Sequence, residues 1–354
     1  MRGMRFVQVV LILGTLLVSA SPAHSSPVKR VLTEEGPATE VKMPSWVKPA
    51  VVYLDSLGHF DRGHFNGAKP MSRARFGRLM NKAFGGGYSR KKGKVTAAEV
   101  SGALARALGQ GGVVKKLASV KSPDGWDPGV GKRFGAEVVA RELGLRRDRP
   151  TNEEGKEVSA SQPMRQADIV YAVWKALTAP ATYSAEALKD FRLSNYDSSR
   201  RKVVKFAMSL VGTPYVWGGE WPKKTPASYP YGAQPHGGFD CSGFIWYVLR
   251  AKASGWNPGR GYKGWRLPER SSSQMAGATK NKLSYRQLRP GDLMFFASNG
   301  RRAKAREVYH AGMYLGRGWM IHSSGSRAGI SLAAVGRGAW WHSQFTWGRR
   351  VIKG

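Results

Sequence analysis

The sequence predicts an α+β protein in two parts. A mostly helical region covers residues 43–178, and over 198–354 helices pack on an antiparallel sheet. Three observations carry this reading. The first region holds three amphipathic segments that align with one another without gaps. Past residue 197 the apolar runs shorten, and glycine, tryptophan and tyrosine rise. Near the end, two arms rich in strand formers flank Gly316-Arg317-Gly318, the pattern of a β-hairpin.

The chain starts with Arg2 and Arg5, an apolar run from Phe6 to Ala20, and Ala23 and Ser25 at the spacing a signal peptidase reads. Residues 1–25 are therefore expected to be a secretory signal peptide. No later stretch reaches the roughly 20 apolar residues a membrane span needs, so the protein is expected outside the cytoplasm. Residues 26–42 are polar and proline-containing, which suits a flexible lead-in.

The aligned segments are PMSRARFGRLMNKAF (70–84), KVTAAEVSGALARAL (94–108) and PMRQADIVYAVWKAL (163–177). Apolar positions recur as Phe76, Leu79, Met80 and Ala83; Val100, Ala103, Leu104 and Ala107; Ile169, Ala172, Val173 and Ala176. Steps of three, one and three mark one buried face of a helix. Ser72 and Thr96 stand at N-cap positions, where a hydroxyl satisfies an unpaired amide of the first turn. Such repetition implies small helical units stacked side by side over 43–178. Residues 179–197 read as a linker.

In the second region, 198–212 reads as a helix with Val203, Val204, Phe206, Ala207 and Leu210 on its apolar side and Gly212 at its end. Residues 222–238 form a polar, proline-rich insertion. FDCSGFIWYVLR (239–250) then carries the only cysteine, so no internal disulfide exists. Asp240 can cap a helix that starts at Cys241, and Phe244, Ile245, Val248 and Leu249 would anchor that helix in a core. A thiol at a helix N-terminus meets unpaired amides and the positive end of the dipole, so its pKa is expected to fall. His310 opens one arm of the predicted hairpin and His322 closes the other, which brings the two rings together. One cysteine and two histidines supply a nucleophile, a base and a group that orients the base. Zinc would want four ligands, and no fourth is evident, so no metal or cofactor is expected.

Lys and Arg number 57 against 23 Asp and Glu, a net charge of +34. Such a surface is drawn to polyanions. With an export signal, the anionic polymers of a bacterial wall are the expected partners rather than nucleic acid.

Two resemblances add to these readings. Residues 43–178 resemble S-layer homology modules, which hold proteins on bacterial walls. Trp46, Ala50, Leu54 and Gly58, then Gly63, Phe65 and Pro70, carry the first unit; SRAR (72–75), TAAE (96–99) and RQAD (165–168) stand at its characteristic turn. Residues 198–354 resemble NlpC-type peptidases, which are papain-like cysteine hydrolases that cut peptides in bacterial peptidoglycan. GTPYVWGG (212–219), FDCSGFIWYV (239–248), RPGDLMFF (289–296) and HAGMYLGRGWMIHSS (310–324) carry that likeness. It implies a papain-like domain with Cys241 as nucleophile, His310 as general base and His322 as the residue orienting it. It also implies that Tyr215, Asp240 and Ser242 line the substrate cleft and that Asp292 is structural. The expected function is a secreted, wall-associated peptidoglycan hydrolase. Its substrate would be an amide bond of the stem peptides, between D-glutamate and a diamino acid. The alternatives are an N-acetylmuramoyl-L-alanine amidase, another cysteine amidohydrolase, or a wall-binding protein without catalysis.

Overall fold

The computed structural model describes residues 43–88, 92–178, 185–229, 233–249 and 267–352. The expected signal peptide and lead-in fall on residues outside these. The described residues belong to one compact unit, Val41–Gly354. Among them, no helix is long and apolar enough to cross a membrane.

Among the described residues, six α-helices build the first region: α1 (Lys48–Ser56), α2 (Arg73–Phe84), α3 (Ala97–Ala107), α4 (Gly111–Ala118), α5 (Gly131–Glu142) and α6 (Gln166–Thr178). The three aligned segments are α2, α3 and α6, each with the short turn before it. Ser72 accepts from the amide of Arg75, and Thr96 with Glu99 forms a capping box. The predicted apolar faces are buried except at Ala83 and Ala107, which are half-buried near the helix ends. The entry turns close a ring. The amide of Met71 donates to the carbonyl of Met164 (3.0 Å), Met164 to Val95 (2.9 Å) and Val95 to Met71 (3.1 Å). These three residues hold the same place in each repeat, and all three are buried. The repeat thus produces a quasi-threefold knot whose unpaired strand edges satisfy one another.

The second region begins with α7 (Ser198–Ser209), capped by Asp197. A two-stranded ladder, β1 (Glu220–Trp221) and β2 (Gly238–Phe239), closes the polar insertion at its base. Gln234 ties that insertion down: its side-chain amide donates to the carbonyls of Trp221, His236 and Gly238. Two further helices are α8 (Cys241–Leu249) and α9 (Ser272–Gly277). The five strands β3 (Leu293–Phe296), β4 (His310–Gly316), β5 (Trp319–Ser324), β6 (Gly329–Ala334) and β7 (Phe345–Arg349) form an antiparallel sheet in the order β6-β5-β4-β3-β7. A short helix, α10 (Trp340–Gln344), leads into β7. Helix α8 is buried all round, not on one face as the sequence pattern implied. A helix apolar on every side is the signature of a central position.

Residues 185–197 do not behave as a bare linker. Phe191 packs edge-on against Trp319 at 5.5 Å, and the Tyr196 hydroxyl donates to the carbonyl of Leu315 at 2.8 Å. The two regions also meet directly. Arg141 on α5, fully buried, donates to the carbonyls of Arg327 and Ala328 just before β6. Gly329, with φ of +140°, makes that approach possible. A Cβ there would lie 2.2 Å from the carbonyl of Thr213 and 2.7 Å from the guanidinium of Arg141.

Candidate active site

Cys241 opens α8, and the carboxylate of Asp240 caps that helix by accepting from the amide of Gly243 at 2.5 Å. The cap was legible in the sequence; its clamp was not. Arg270, 30 residues away, bonds Asp240 Oδ1 (3.2 Å), the Ser242 hydroxyl (3.0 Å) and the carbonyls of Gly218 and Gly219 (2.9 and 3.1 Å), and pairs with Glu220. This guanidinium fastens the Trp217-Gly218-Gly219 turn to the start of α8. Gly243 allows the contact, since a Cβ there would lie 2.0 Å from the Gly219 carbonyl. Nothing in the sequence singles out Arg270 among 57 basic residues.

Cys241 is buried, with 8% of the residue exposed. Burial pushes it up to about 12, and the charge of Asp240 adds to this. The amides of Ala311 and Ser242 and the charge of Arg270 pull the other way and do not win. The expected fall is therefore corrected: desolvation outweighs the helix terminus. The resting group is a thiol. The Ala311 amide that favours the thiolate belongs to the residue after His310, so the start of β4 lies at the sulfur.

His310 and His322 meet as the hairpin predicts. His310 Nε2 lies 2.8 Å from His322 Nδ1, with the rings perpendicular. Met313 pairs with Ile321 across β4 and β5, which sets Gly312 opposite His322 and makes the two histidines diagonal neighbours. Gly312 leaves room for Met320 beside His322. A Cβ there would lie 2.6 Å from Met320 Sδ and 3.5 Å from His322 Cβ. Trp341 stacks on His310 at 4.7 Å and meets His322 edge-on at 5.3 Å. Burial lowers His310 to about 3. Burial, His310 and the charge of Arg327 together hold His322 far below the usual imidazole range. Both rings are neutral near pH 7. Among the described residues, no three metal-binding side chains stand together.

The remaining expected cleft residues divide. Tyr215 is half-buried and held by its amide on the carbonyl of Ala328 (3.3 Å). Burial raises its hydroxyl pKa, with the charges of Cys241, Asp240, Glu154 and Asp148 behind it. Ser242 is buried, and its hydroxyl donates to Asp240. Asp292 is fully buried and binds Arg350 and the amide of Arg289. Sequence reasoning missed the reach of the first region toward this site. Glu154 accepts from the amide of Trp217 at 2.7 Å, and a Cβ at Gly325 would touch both Asp148 and Tyr215.

Residues 212–350 match the NlpC/P60 family model. This stretch of the chain is an NlpC/P60 domain. Similar proteins include the bifunctional muramidase/DL-endopeptidase CwlT of Bacillus subtilis, 33% identical over 147 residues, 42% of this chain and 35% of the relative. The probable peptidoglycan endopeptidase LytE of the same organism is 32% identical over 139 residues, 39% of this chain and 31% of the relative. Among solved structures, the peptidoglycan hydrolase RipB from Mycobacterium tuberculosis matches at 26% identity and a TM-score of 0.32, over 44% of this chain and 66% of that one. The chain spans 20% to 35% of the length of such curated relatives.

Proposed function

We propose that this NlpC/P60 protein is a secreted, wall-associated hydrolase that cuts an amide bond in peptidoglycan stem peptides through Cys241, His310 and His322. The observation that carries this is the 2.8 Å bond between His310 Nε2 and His322 Nδ1 on the strand whose next amide favours the Cys241 thiolate. With Nε2 engaged, the free nitrogen of His310 is Nδ1. It can accept a proton only if Nε2 carries the hydrogen and donates it to His322. His322 thereby fixes the tautomer of the base, the role of the third member of a triad.

The Cys241 sulfur attacks the peptide carbonyl while its proton passes to His310 Nδ1. Burial penalises a lone thiolate or a lone imidazolium. The transfer creates both together, so the pair is less penalised than either charge. The backbone amide of Cys241, at the start of α8, is the donor we assign to the oxyanion. His310 then gives its proton to the departing amine, the carbon–nitrogen bond breaks, and a thioester remains on Cys241. Water, its proton taken by His310, releases the acyl group as a carboxylic acid and restores the thiol.

The relatives named as DL-endopeptidase and peptidoglycan endopeptidase support a stem-peptide substrate, and a bond between D-glutamate and a diamino acid is the one we favour. Asp148, Glu154 and Asp240 gather round Tyr215 on a chain of net charge +34, a local acidic mouth that suits a free amino group of such a peptide. In the first region, a cavity of about 470 Å³ lined by Arg73, Arg106, Lys132, Arg133 and Tyr88 offers a seat for an anionic wall polymer. Purified peptidoglycan tests the reading. The full chain is expected to release muropeptides cut within the stem, and Cys241→Ala none. Equal release by the two proteins would remove the reading.

A further inference from the structure

A cavity of about 430 Å³ borders α10, walled by Ser284, Tyr285, Arg286, Arg301, Arg337 and His342. Four separate stretches supply these walls: the turn before β3, the turn after it, the segment between β6 and α10, and α10 itself. Their aromatic part is fixed. Tyr285 meets the His342 ring edge-on at 4.6 Å and packs on Tyr314 and Phe345, and His342 Nδ1 donates to the carbonyl of Val335 at 3.1 Å. The charged part is all of one sign. Three other cavities each hold a carboxylate beside a basic partner: Glu99 with Arg73, Glu142 with Arg327, and Asp61 with His64. This one has three arginines and no carboxylate in its walls. Arg286, Arg301 and Arg337 are exposed, and none has an ion-pair partner among the described residues. A paired guanidinium must give up a carboxylate to take a new anion; these three have none to give up. Like charges round one cavity also repel one another, and a multivalent anion removes that repulsion. Phosphate binds guanidinium forks through paired oxygens. Three forks outnumber the two oxygens of a carboxylate, whereas a run of phosphodiesters serves them with successive units.

We propose that this cavity holds successive phosphodiester units of an anionic wall polymer, with Arg286, Arg301 and Arg337 as the contacts. The net charge of +34 draws such a polymer to the surface, and this cavity gives it a place. Helix α10 links that place to the proposed base: Trp341 stacks on His310, and the next residue is His342. Polymer held here keeps the wall close to His310 and raises the local concentration of stem peptide. That consequence rests on the hydrolase reading above; the binding itself does not.

The probe is glycerophosphoglycerol, one phosphodiester between two glycerols, added to the full chain with ¹³C-labelled histidine rings. Glycerol is the neutral control and acetate the carboxylate control. The His342 signal, assigned by its loss in His342→Gln, is expected to shift and saturate at millimolar diester, to shift less with acetate and to ignore glycerol. Arg301→Gln combined with Arg337→Gln is expected to weaken binding by about tenfold or more. Lys202→Gln combined with Lys205→Gln removes the same charge from α7, where both lysines are exposed, and is expected to leave binding within about twofold. Should the arginine pair fail to fold, Arg286→Gln takes its place with the same reading. No shift, an equal shift with acetate or glycerol, parent-like binding by the arginine variant, or equal weakening by the lysine variant overturns the site. Cys241→Ala protein must bind the probe as the parent does, so a failed hydrolase reading leaves this result readable. On wall stripped of phosphodiester polymers with hydrofluoric acid, the parent's KM is expected to rise severalfold over that on intact wall, while the arginine variant shows one KM on both. An unchanged parent KM with a normal shift overturns the link to catalysis.

Discussion

Gly312 shows how much one missing side chain decides. The histidines are diagonal neighbours, and the residue between them on that face has no Cβ to block the line. Gly312→Ala is expected to push Met320 Sδ, 2.6 Å from the new Cβ, against its neighbour His322 and so lengthen the 2.8 Å bond. Misplacing a catalytic group by about 1 Å lowers rates by roughly 100-fold, so kcat should fall about that far while KM holds. A kcat within twofold of the parent would show that the bond does not matter. The buried rings also set an acid limit on the fold. The unfolded His310 takes a proton near 6.5, and the folded one only near 3. Between those values the unfolded chain holds more protons, so stability is lost as pH falls through that window. His310 alone contributes a slope of about 1.4 kcal/mol per pH unit there, and His322, also held low, acts in the same direction. Urea unfolding at pH 7, 5 and 4 checks this, and replacing both histidines by glutamine should flatten the loss. At this scale the sequence was readable for the meeting of the two histidines, twelve apart with a turn between them. It was misleading for the thiol, because a helix start is visible in a sequence and burial beside Asp240 is not.

The start of α8 is an element held from three sides: its Asp240 cap, the Gly219 carbonyl over Gly243, and Arg270 across both. Arg270→Met leaves the carboxylates of Glu220 and Asp240 facing each other without their shared cation. A destabilisation of about 2–3 kcal/mol is expected from such unpaired, largely buried groups. Activity should drop further than stability alone explains, since the proposed nucleophile rides on this helix. Lysine should rescue little, because one ammonium cannot reach five partners arranged around a planar fork. Chemical denaturation and kcat, measured together, decide; parent-like values in both would mean that the clamp is ornamental. The elements legible in the sequence were those with strong periodicity or turn chemistry, namely α2, α3, α6, α7, α8 and the β4–β5 hairpin. Helices α4 and α5 passed unread. Their starts at Gly111 and Gly131 have no side-chain cap hydrogen bond, and α5 buries Glu137 and Arg141, charges that hide its inward face from any apolar pattern.

Those buried charges join the molecule together. Arg141 sits between Glu137 (3.3 Å) and Glu157 (3.6 Å) and reaches across to the carbonyls of Arg327 and Ala328, while burial pushes Glu157 up to about 7. Two regions that looked separable in the sequence therefore share one buried ionic joint. Composition shifts at residue 197 were legible, but contacts between residues 141 and 328 are too far apart in the chain for any local pattern to announce. Removing one partner of a buried ion pair typically costs about 3–5 kcal/mol, so Arg141→Ala is expected to lower stability by that amount. Calorimetry should still show one transition, in the parent and in the mutant, because the joint couples the helices to the sheet. Two resolved transitions in the parent would deny that coupling.

The thioester on Cys241 is the claim from which the rest hangs. Acid quenching of the full chain during digestion of purified peptidoglycan, followed by peptide mass analysis, looks for it directly. The peptide that contains Cys241 should carry the added mass of a stem-peptide acyl group and lose it on standing with hydroxylamine. Released, cleaved muropeptides with that peptide unmodified throughout, and undiminished release by Cys241→Ala, would contradict the account.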